Sequence, residues 1–483
     1  MSRKYTFLRL ILAGGMLAAG CSSSDWGVAY TGGKDQPQLN GNIRANAAGT
    51  VTATTTSAGQ VHVFFVDTTA GDLRHAWLNK ATNLWIAETL DGDSTAGGRT
   101  TNTIGSRSIT AYTYLGSPHV AYKDETTGAL RQAWMHDGAW RYEILDGPGA
   151  ACPRKPAEIG YFCPSTTSNV GDEVSGFVWT TGDQTAHLFY RNNTTGTLRH
   201  AWFSLGGYCY TGCAEPYLFS WRFEDLDTGL APISKSTKIG VAETPGQIHA
   251  FYIKDGASSN SLGHTWTNWG TYGGAGWGVE YLDGPLGRAL YASGDSVDGE
   301  PGAVGTSTDL TVFYHDATRD ILRSARYKFG ANQWVIGELD GYGTSGGFGR
   351  TELPVGRFTT ALNINDRAAV AYLGAGNSLR IGILGKDDVW TSTTIDGPLD
   401  KCPIVLPLIC KDMEGRTDQK VATYMSAVAD GKVIYLSMAQ GGDYKTNTPA
   451  PNVRVLRFNV PSSGGAGDLL GALGPILGAL GLG

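Results

Sequence analysis

An arginine returns at one position of a short apolar segment six times along the chain, as Arg74, Arg131, Arg199, Arg323, Arg380 and Arg454. In three copies a tryptophan stands three residues later, as Trp77, Trp134 and Trp202; Trp266 keeps the same place after Gly263, which replaces the arginine. The next segment carries a glutamate three residues after a second tryptophan, at Glu88, Glu143, Glu224 and Glu280. A guanidinium, a carboxylate and an aromatic face can hold a sugar, with charged partners for the hydroxyls and a π face for the apolar side of the ring. The same groups can build a sheet, since opposite charges facing across neighbouring strands contribute up to ~1 kcal/mol. Repetition serves both readings: ligand pockets repeated between units, or a structural ladder that recurs because every unit has the same packing problem.

The elements that must position these groups repeat with a period of about 60 residues. Six times a tryptophan is followed six residues later by an aspartate at a turn: Trp85 and Asp91, Trp140 and Asp146, Trp221 and Asp227, Trp277 and Asp283, Trp334 and Asp340, Trp390 and Asp396. Upstream of each lie an apolar–aromatic run, such as "VHVFFVD" ending at Asp67, and a segment such as "LRHAW" from Leu73. A looser segment, such as "SITAYTY" from Ser108, precedes both. Each is short, rich in β-branched and aromatic residues and bounded by Gly, Asp or Asn, so each reads as a strand. Four antiparallel strands per unit make the blade of a β-propeller. Arg74 then points away from Leu73, His75 and Trp77, and a pairing of Arg with Glu across the third and fourth strands is expected.

A seventh copy from Lys432 has the aromatic and arginine strands but no tryptophan strand. "WGVAYTGG" from Trp26 has the missing spacing. The sequence predicts an all-β, seven-bladed β-propeller of four-stranded antiparallel blades over 26–460, its last blade closed by the N-terminal strand. Closure removes open sheet edges, and the ring is expected to be monomeric.

Residues 1–20 form a targeting segment, with Arg3 and Lys4 before the apolar "LILAGGMLAAG". "LAAGC" resembles the lipobox of bacterial lipoproteins, which implies lipidation at Cys21, a short tether over 21–25 and attachment to a membrane. Ser22 after that cysteine implies the outer rather than the inner membrane of a Gram-negative envelope. Trp26 lies five residues from Cys21, so a closing strand there sets the ring within roughly 20 Å of the lipid. Six further cysteines form three close pairs, Cys152 with Cys163, Cys209 with Cys213 and Cys402 with Cys410, read as disulfide staples of long loops. A zinc site at Cys209 and Cys213 lacks a nearby His–Cys pair to complete it, and no metal or other cofactor is expected. Residues 461–483 are a Gly/Leu-rich tail, too short and too broken for a comfortable membrane span. Three readings of the tail stay open: docking on the membrane surface, docking on a partner, or a disordered low-complexity end.

The net charge of −6 falls to −9 once the leader's three basic residues are gone, leaving 35 basic against 44 acidic residues. No basic run appears, which argues against nucleic acid as a partner. No Gly-x-Ser-x-Gly, P-loop or His-Glu-x-x-His pattern occurs. Hydrolysis of a glycoside needs paired carboxylates at a defined separation, and the repeated aspartate reads better as a turn residue; no catalytic residue is assigned. For an axial site the candidates are the non-repeated Arg99, Arg107, Arg350 and Arg357, because blade-linking segments approach the axis.

The apolar–Tyr strand, the "LRxAW"-like strand and "WxxExLDG" resemble the repeats of β-propeller lectins, such as the fucose-binding lectins, and of the wider sialidase-like propellers. In the fucose lectins an arginine, a glutamate and an aromatic residue from adjacent blades hold each sugar. The resemblance implies ligand-binding roles for Arg74, Trp77 and Glu88, for Arg131, Trp134 and Glu143, and for Arg199, Trp202 and Glu224. Those lectins carry the arginine on the preceding strand, where this chain has His62, His119, His187 and His249. The Asp-box of sialidases is absent from the sequence. The reading is a lipid-anchored envelope module that binds glycan. The alternatives are an envelope protein-docking scaffold without a small ligand, and a glycan-processing hydrolase.

Overall fold

The computed structural model describes residues 52–79, 84–150, 165–204, 220–229, 232–235, 238–268, 276–344, 350–385, 389–396, 419–421, 425–430, 433–443 and 452–459. Cys21, the six paired cysteines, the Trp26 strand, the leader and the tail lie outside the described residues.

Seven antiparallel sheets follow one another around a ring. Blade one is Ala53–Ser57 (β1), Gln60–Asp67 (β2), Asp72–Asn79 (β3) and Leu84–Asp91 (β4). Blade two is Ile104–Tyr114 (β5), Ser117–Asp124 (β6), Ala129–His136 (β7) and Ala139–Asp146 (β8). Blade three is Val170–Val178 (β9), Ala186–Asn192 (β10), Leu198–Ser204 (β11) and Ser220–Asp227 (β12). Blade four is Gly240–Thr244 (β13), Gln247–Lys254 (β14), Ser261–Asn268 (β15) and Gly276–Asp283 (β16). Blade five is Val297–Gly305 (β17), Asp309–Asp316 (β18), Ile321–Lys328 (β19) and Gln333–Asp340 (β20). Blade six is Arg357–Asn363 (β21), Ala368–Gly374 (β22), Ser378–Leu384 (β23) and Trp390–Asp396 (β24). In blade seven, Gln419–Val421 (β25) and Ser426–Asp430 (β26) share one edge of Val433–Asp443 (β27), and Asn452–Asn459 (β28) takes the other.

First strands touch first strands all the way round, β1 meeting both β5 and β26. The ring closes there through Thr54 N donating to Ser426 Oγ at 3.0 Å and Thr52 Oγ1 to Ser437 O at 2.9 Å. Seven apolar clusters fill the seven interfaces between blades. Both faces of a second strand therefore lie against neighbours. This is why "VHVFFVD" and its copies are continuous apolar runs rather than alternating ones. Burial of this apolar surface is the main favourable contribution to the fold.

The turn between second and third strands needs a left-handed residue. Gly71 supplies it at φ +79°, and its N–H donates to Asp67 O at 2.7 Å. Gly128 and Gly196 repeat the arrangement.

The blade-ending aspartate does more than turn the chain. Asp146 is fully buried, and its Oδ1 accepts the backbone N–H of Thr166 at 2.8 Å. Its Oδ2 accepts from blade three, the Tyr190 hydroxyl at 2.7 Å and Arg199 Nε at 2.6 Å. Burial, and then the charge of Asp146, push the Tyr190 hydroxyl well above its ordinary pKa, so it stays protonated and donates. Asp91 with Tyr122 and Arg131, Asp283 with Tyr314 and Arg323, and Asp340 with Tyr372 and Arg380 repeat this lock. At Asp227 the arginine is replaced by Gly263, whose Cβ would fall 2.5 Å from the Tyr252 ring, and Lys254 Nζ takes the charge at 2.8 Å. Each lock ties the end of one blade to the middle of the next.

Removing one partner of a buried ion pair costs about 3–5 kcal/mol. Asp146→Ala is expected to lower the unfolding free energy, read from a urea titration, by an amount in that range. The exposed Asp137→Asn, on the tip of a blade-two hairpin where both residues suit the left-handed backbone, should leave it unchanged.

Candidate functional site

The lock and the sugar-like groups lie on opposite faces of each blade. Strand register places Glu88 opposite His75 and Arg74 opposite Thr89. In blades two and three Glu143 faces Gln132, and Glu224 faces His200. The expected Arg–Glu pairing across the third and fourth strands does not form in these blades. Arg131 and Arg199 are buried and point to the preceding blade's aspartate. Glu88, Glu143 and Glu224 point to the following blade, whose tryptophan donates to them. Trp140 Nε1 reaches Glu88 at 2.8 Å, Trp221 reaches Glu143 at 3.2 Å and Trp277 reaches Glu224 at 2.8 Å. The structure therefore keeps the Trp and the Glu of each predicted trio together and sends the arginine elsewhere. Trp77 and Trp202 stack on His75 and His200, at centroid separations of 5.0 Å. Trp134 lies over His119.

Two histidines per site take the place that the sequence reading gave to arginine. In blade four Thr244 Oγ1 meets His249 Nε2 at 2.9 Å, His249 Nδ1 meets His264 Nε2 at 3.0 Å, and His264 Nδ1 meets Glu280 Oε1 at 2.8 Å. Trp334 Nε1 of blade five donates to the same Glu280 oxygen at 2.8 Å. With neutral rings the donors run in one direction and end on the carboxylate. The His–His–Glu–Trp chain recurs as His62, His75, Glu88 and Trp140, and as His187, His200, Glu224 and Trp277. In blade two Gln132 replaces the second histidine, accepting from the Tyr112 hydroxyl at 2.8 Å and donating to Glu143 at 2.6 Å. The chain has nine histidines, and seven of them occupy these two strand positions. That concentration is the sequence signal from which the sites could have been found, and the reading of the repeats passed over it.

At the interface of blades four and five the chain of donors borders a pocket of about 450 Å³. Its walls are aromatic, with half-buried Trp266 and Tyr327 and buried Trp334, and its polar groups are Gln247, Glu280, Arg288 and Asn332. Trp266 is backed by His264, stacked at 5.0 Å, and lies flat over Gly278, where a Cβ would sit 2.3 Å from the indole. The indole packs so closely there that any side chain at Gly278 would displace it. Among the described residues no group of three or more His, Cys, Asp or Glu is placed to hold a metal ion.

Burial sets the charge of these groups. It lowers the pKa of His62 to about 3, with His75 adding to the effect, and lowers His119 and His200 to about 4. His75, His249 and His264 shift the same way for the same cause. Burial alone would raise Glu88, but hydrogen bonds from His75 and Trp140 outweigh it and hold the carboxyl below its usual range. In Glu143 burial wins, and its pKa is raised.

The axial arginines divide. Arg107 and Arg357 lie on first strands, which line the axis, while Arg99 and Arg350 bond to the outer-strand carbonyls of Thr89 and Glu338. Near the axis burial pushes the Glu300 carboxyl well up, with Lys238 opposing, Glu173 adding and Arg107 opposing.

No family model matches the chain, and no curated protein matches it either. Among solved structures, the polysaccharide lyase Uly1 is similar at 10% identity and a TM-score of 0.46, over 91% of this chain and 98% of that one. A fucose-specific lectin from Aleuria aurantia is similar at 14% identity and a TM-score of 0.40, over 74% of this chain and 96% of that one. A puromycin-hydrolyzing peptidase from Mycobacterium tuberculosis is similar at 13% identity and a TM-score of 0.39, over 91% of this chain and 58% of that one. None of these likenesses carries an argument about function.

The histidines make the fold sensitive to acid. An unfolded histidine titrates near 6.5, and a lower folded value means that the fold favours the neutral ring. That stability is fully present above pH 6.5 and is lost as pH falls through 6.5 toward 4. The unfolding temperature is expected to drop across this window. His200→Gln, which copies Gln132 of blade two, should reduce the drop. An equal slope in variant and wild type would remove the histidines as its cause.

Proposed function

We propose that this ring is a carbohydrate-binding module of the bacterial cell envelope that seats saccharides in pockets between its blades. The observation that carries the reading is the pocket between blades four and five. It joins a fixed, half-buried indole face to a carboxylate and to planar amide and guanidinium donors within about 450 Å³. An apolar wall with a few converging polar groups is the chemistry of a small-ligand site. An indole face matches the C–H side of a pyranose, and Glu280, Gln247 and Asn332 match its hydroxyls. The same Trp, His and Glu arrangement at blades one and three, around Trp77 and Trp202, gives the ring two further sites of this kind. Among the described residues Glu280 is the one carboxylate lining the pocket, which favours binding over hydrolysis by a carboxylate pair.

We place the ring in the envelope on the strength of the leader and of "LAAGC", with lipid on Cys21 as the anchor and Ser22 favouring the outer membrane of a Gram-negative bacterium. Cys21→Ala is expected to move the protein from the membrane to the soluble fraction.

Binding is tested on printed glycans and then by titration calorimetry with the full chain. Truncating an anchoring aromatic typically costs more than about 1 kcal/mol, so the combined Trp77→Ala, Trp202→Ala, Trp266→Ala variant should lose binding while keeping its circular dichroism. A wild-type protein that retains no glycan sinks the reading.

A further inference from the structure

The interfaces that carry the histidine or glutamine chain share one wall and differ in the other. The shared wall is the third-strand tryptophan of the earlier blade, Trp77, Trp134, Trp202 or Trp266. The other wall comes from the third strand of the later blade, at the residue cross-paired with that blade's fourth-strand tryptophan. It is Met135 opposite Trp140, Phe203 opposite Trp221, Thr267 opposite Trp277 and Tyr327 opposite Trp334. Between blades five and six the chain itself is gone. Thr311, Ser324 and Gly337 stand where blade four has His249, His264 and Glu280, and the buried Trp390 Nε1 has no hydrogen-bond partner among the described residues.

Tyr327 makes the pocket between blades four and five two-sided. On the blade-four side the Trp266 indole covers Gly278 of its own sheet, which leaves the other indole face to the pocket. On the blade-five side Tyr327 shares a strand face with Leu310 and Trp334, both of which also line the pocket. Its ring packs on Trp334 with centroids 5.3 Å apart, and its hydroxyl donates to Asn332 Oδ1 in the β19–β20 turn. A strap from the blade linker closes the outer side. Leu290 N donates to Trp334 O at 3.1 Å, and Leu290 O accepts Ile336 N at 2.9 Å. Glu280 Oε1 is filled by His264 and Trp334, while its Oε2 has no partner among the described residues.

We propose that the pocket between blades four and five selects pyranosides of the gluco configuration, whose ring hydroxyls are all equatorial, and that Tyr327 sets this preference. This rests on the carbohydrate-binding reading and goes beyond it by naming the sugar class. A gluco-configured ring carries axial C–H groups on both faces and its hydroxyls around its edge. It fits between two aromatic walls with its hydroxyls left to the polar groups of the pocket. In a galacto-configured ring the C4 hydroxyl is axial and stands on one face. Against either aromatic wall that hydroxyl loses water and gains no partner, and a buried polar group without a partner is costly. Thr267, which holds this place in blade four, makes no such demand: it is small and buried, and its hydroxyl accepts Ile248 N at 2.9 Å.

The test uses the full chain carrying Trp77→Ala and Trp202→Ala, which silences the two sites of the same kind. The probes are methyl β-glucoside and methyl β-galactoside, which differ only at C4. Binding is read by saturation-transfer NMR titration, with circular dichroism as the check on folding. The glucoside is expected to bind about tenfold more tightly than the galactoside, a difference of about 1.4 kcal/mol. Tyr327→Thr, which copies blade four, should bring the ratio close to one by weakening the glucoside. Tyr327→Phe keeps the wall without the bond to Asn332 and should keep the ratio. The same two variants in the otherwise unaltered chain should shift the ratio in the same direction by less. Equal affinity for the two sugars, a preference for the galactoside, or a ratio that Tyr327→Thr leaves in place overturns the proposal. If Trp266→Ala still abolishes binding of both sugars in any of those cases, the carbohydrate reading stands without it. Binding of neither sugar, in the silenced or the unaltered chain, overturns both.

Discussion

A buried carboxylate shared between two blades is the contact on which this ring depends. Asp91, Asp146, Asp283 and Asp340 have no exposed surface, and each gathers a turn N–H from its own side and a tyrosine and an arginine from the next blade. Apolar packing between sheets is non-directional and would tolerate sliding. A buried ion pair does not, because a misplaced arginine or aspartate would be desolvated without its partner. Where the repeat departs, the charge is kept by other means, as Lys254 shows for Asp227.

Because the lock uses one face of each blade, the other face is free to vary. Blades one, three and four carry two histidines and a glutamate. Blade two swaps one histidine for glutamine with the hydrogen bonds preserved. Blade five abandons the set and leaves Trp390 with an unpaired indole N–H. An unpaired buried donor costs roughly 1–3 kcal/mol, so the loss of the set at blade five carries a cost in stability.

The ring was legible from the tryptophan-to-aspartate spacing and from continuous apolar second strands, because both are demanded by every blade. The role of the aspartate was half legible: the following glycine announced a turn, and nothing nearby announced a partner about 50 residues later in the chain, such as Arg199 for Asp146. The Arg–Glu pairing was misread by one residue. A bulge between Leu73 and Arg74 shifts the ladder by one residue, so Glu88 faces His75 instead of Ala76, which shares its face with Arg74. One residue of shift exchanges the faces of a strand, and short repeats do not reveal such a bulge. The histidine chain was written in the sequence as alternate positions on two strands, but its partners become neighbours only after the register is set.

Rigid spacing gives the three His–His–Glu–Trp sites a property that none of them has alone. They sit on blades one, three and four, held at fixed separations by the buried locks between them. On the proposed carbohydrate-binding reading, a polymer that repeats its unit and has engaged one site would be presented to the others at an effective concentration set by the ring, with no flexible linker to dilute it. Weak individual contacts then add up to long residence on a repetitive surface, and a single unit in solution competes poorly for the same protein.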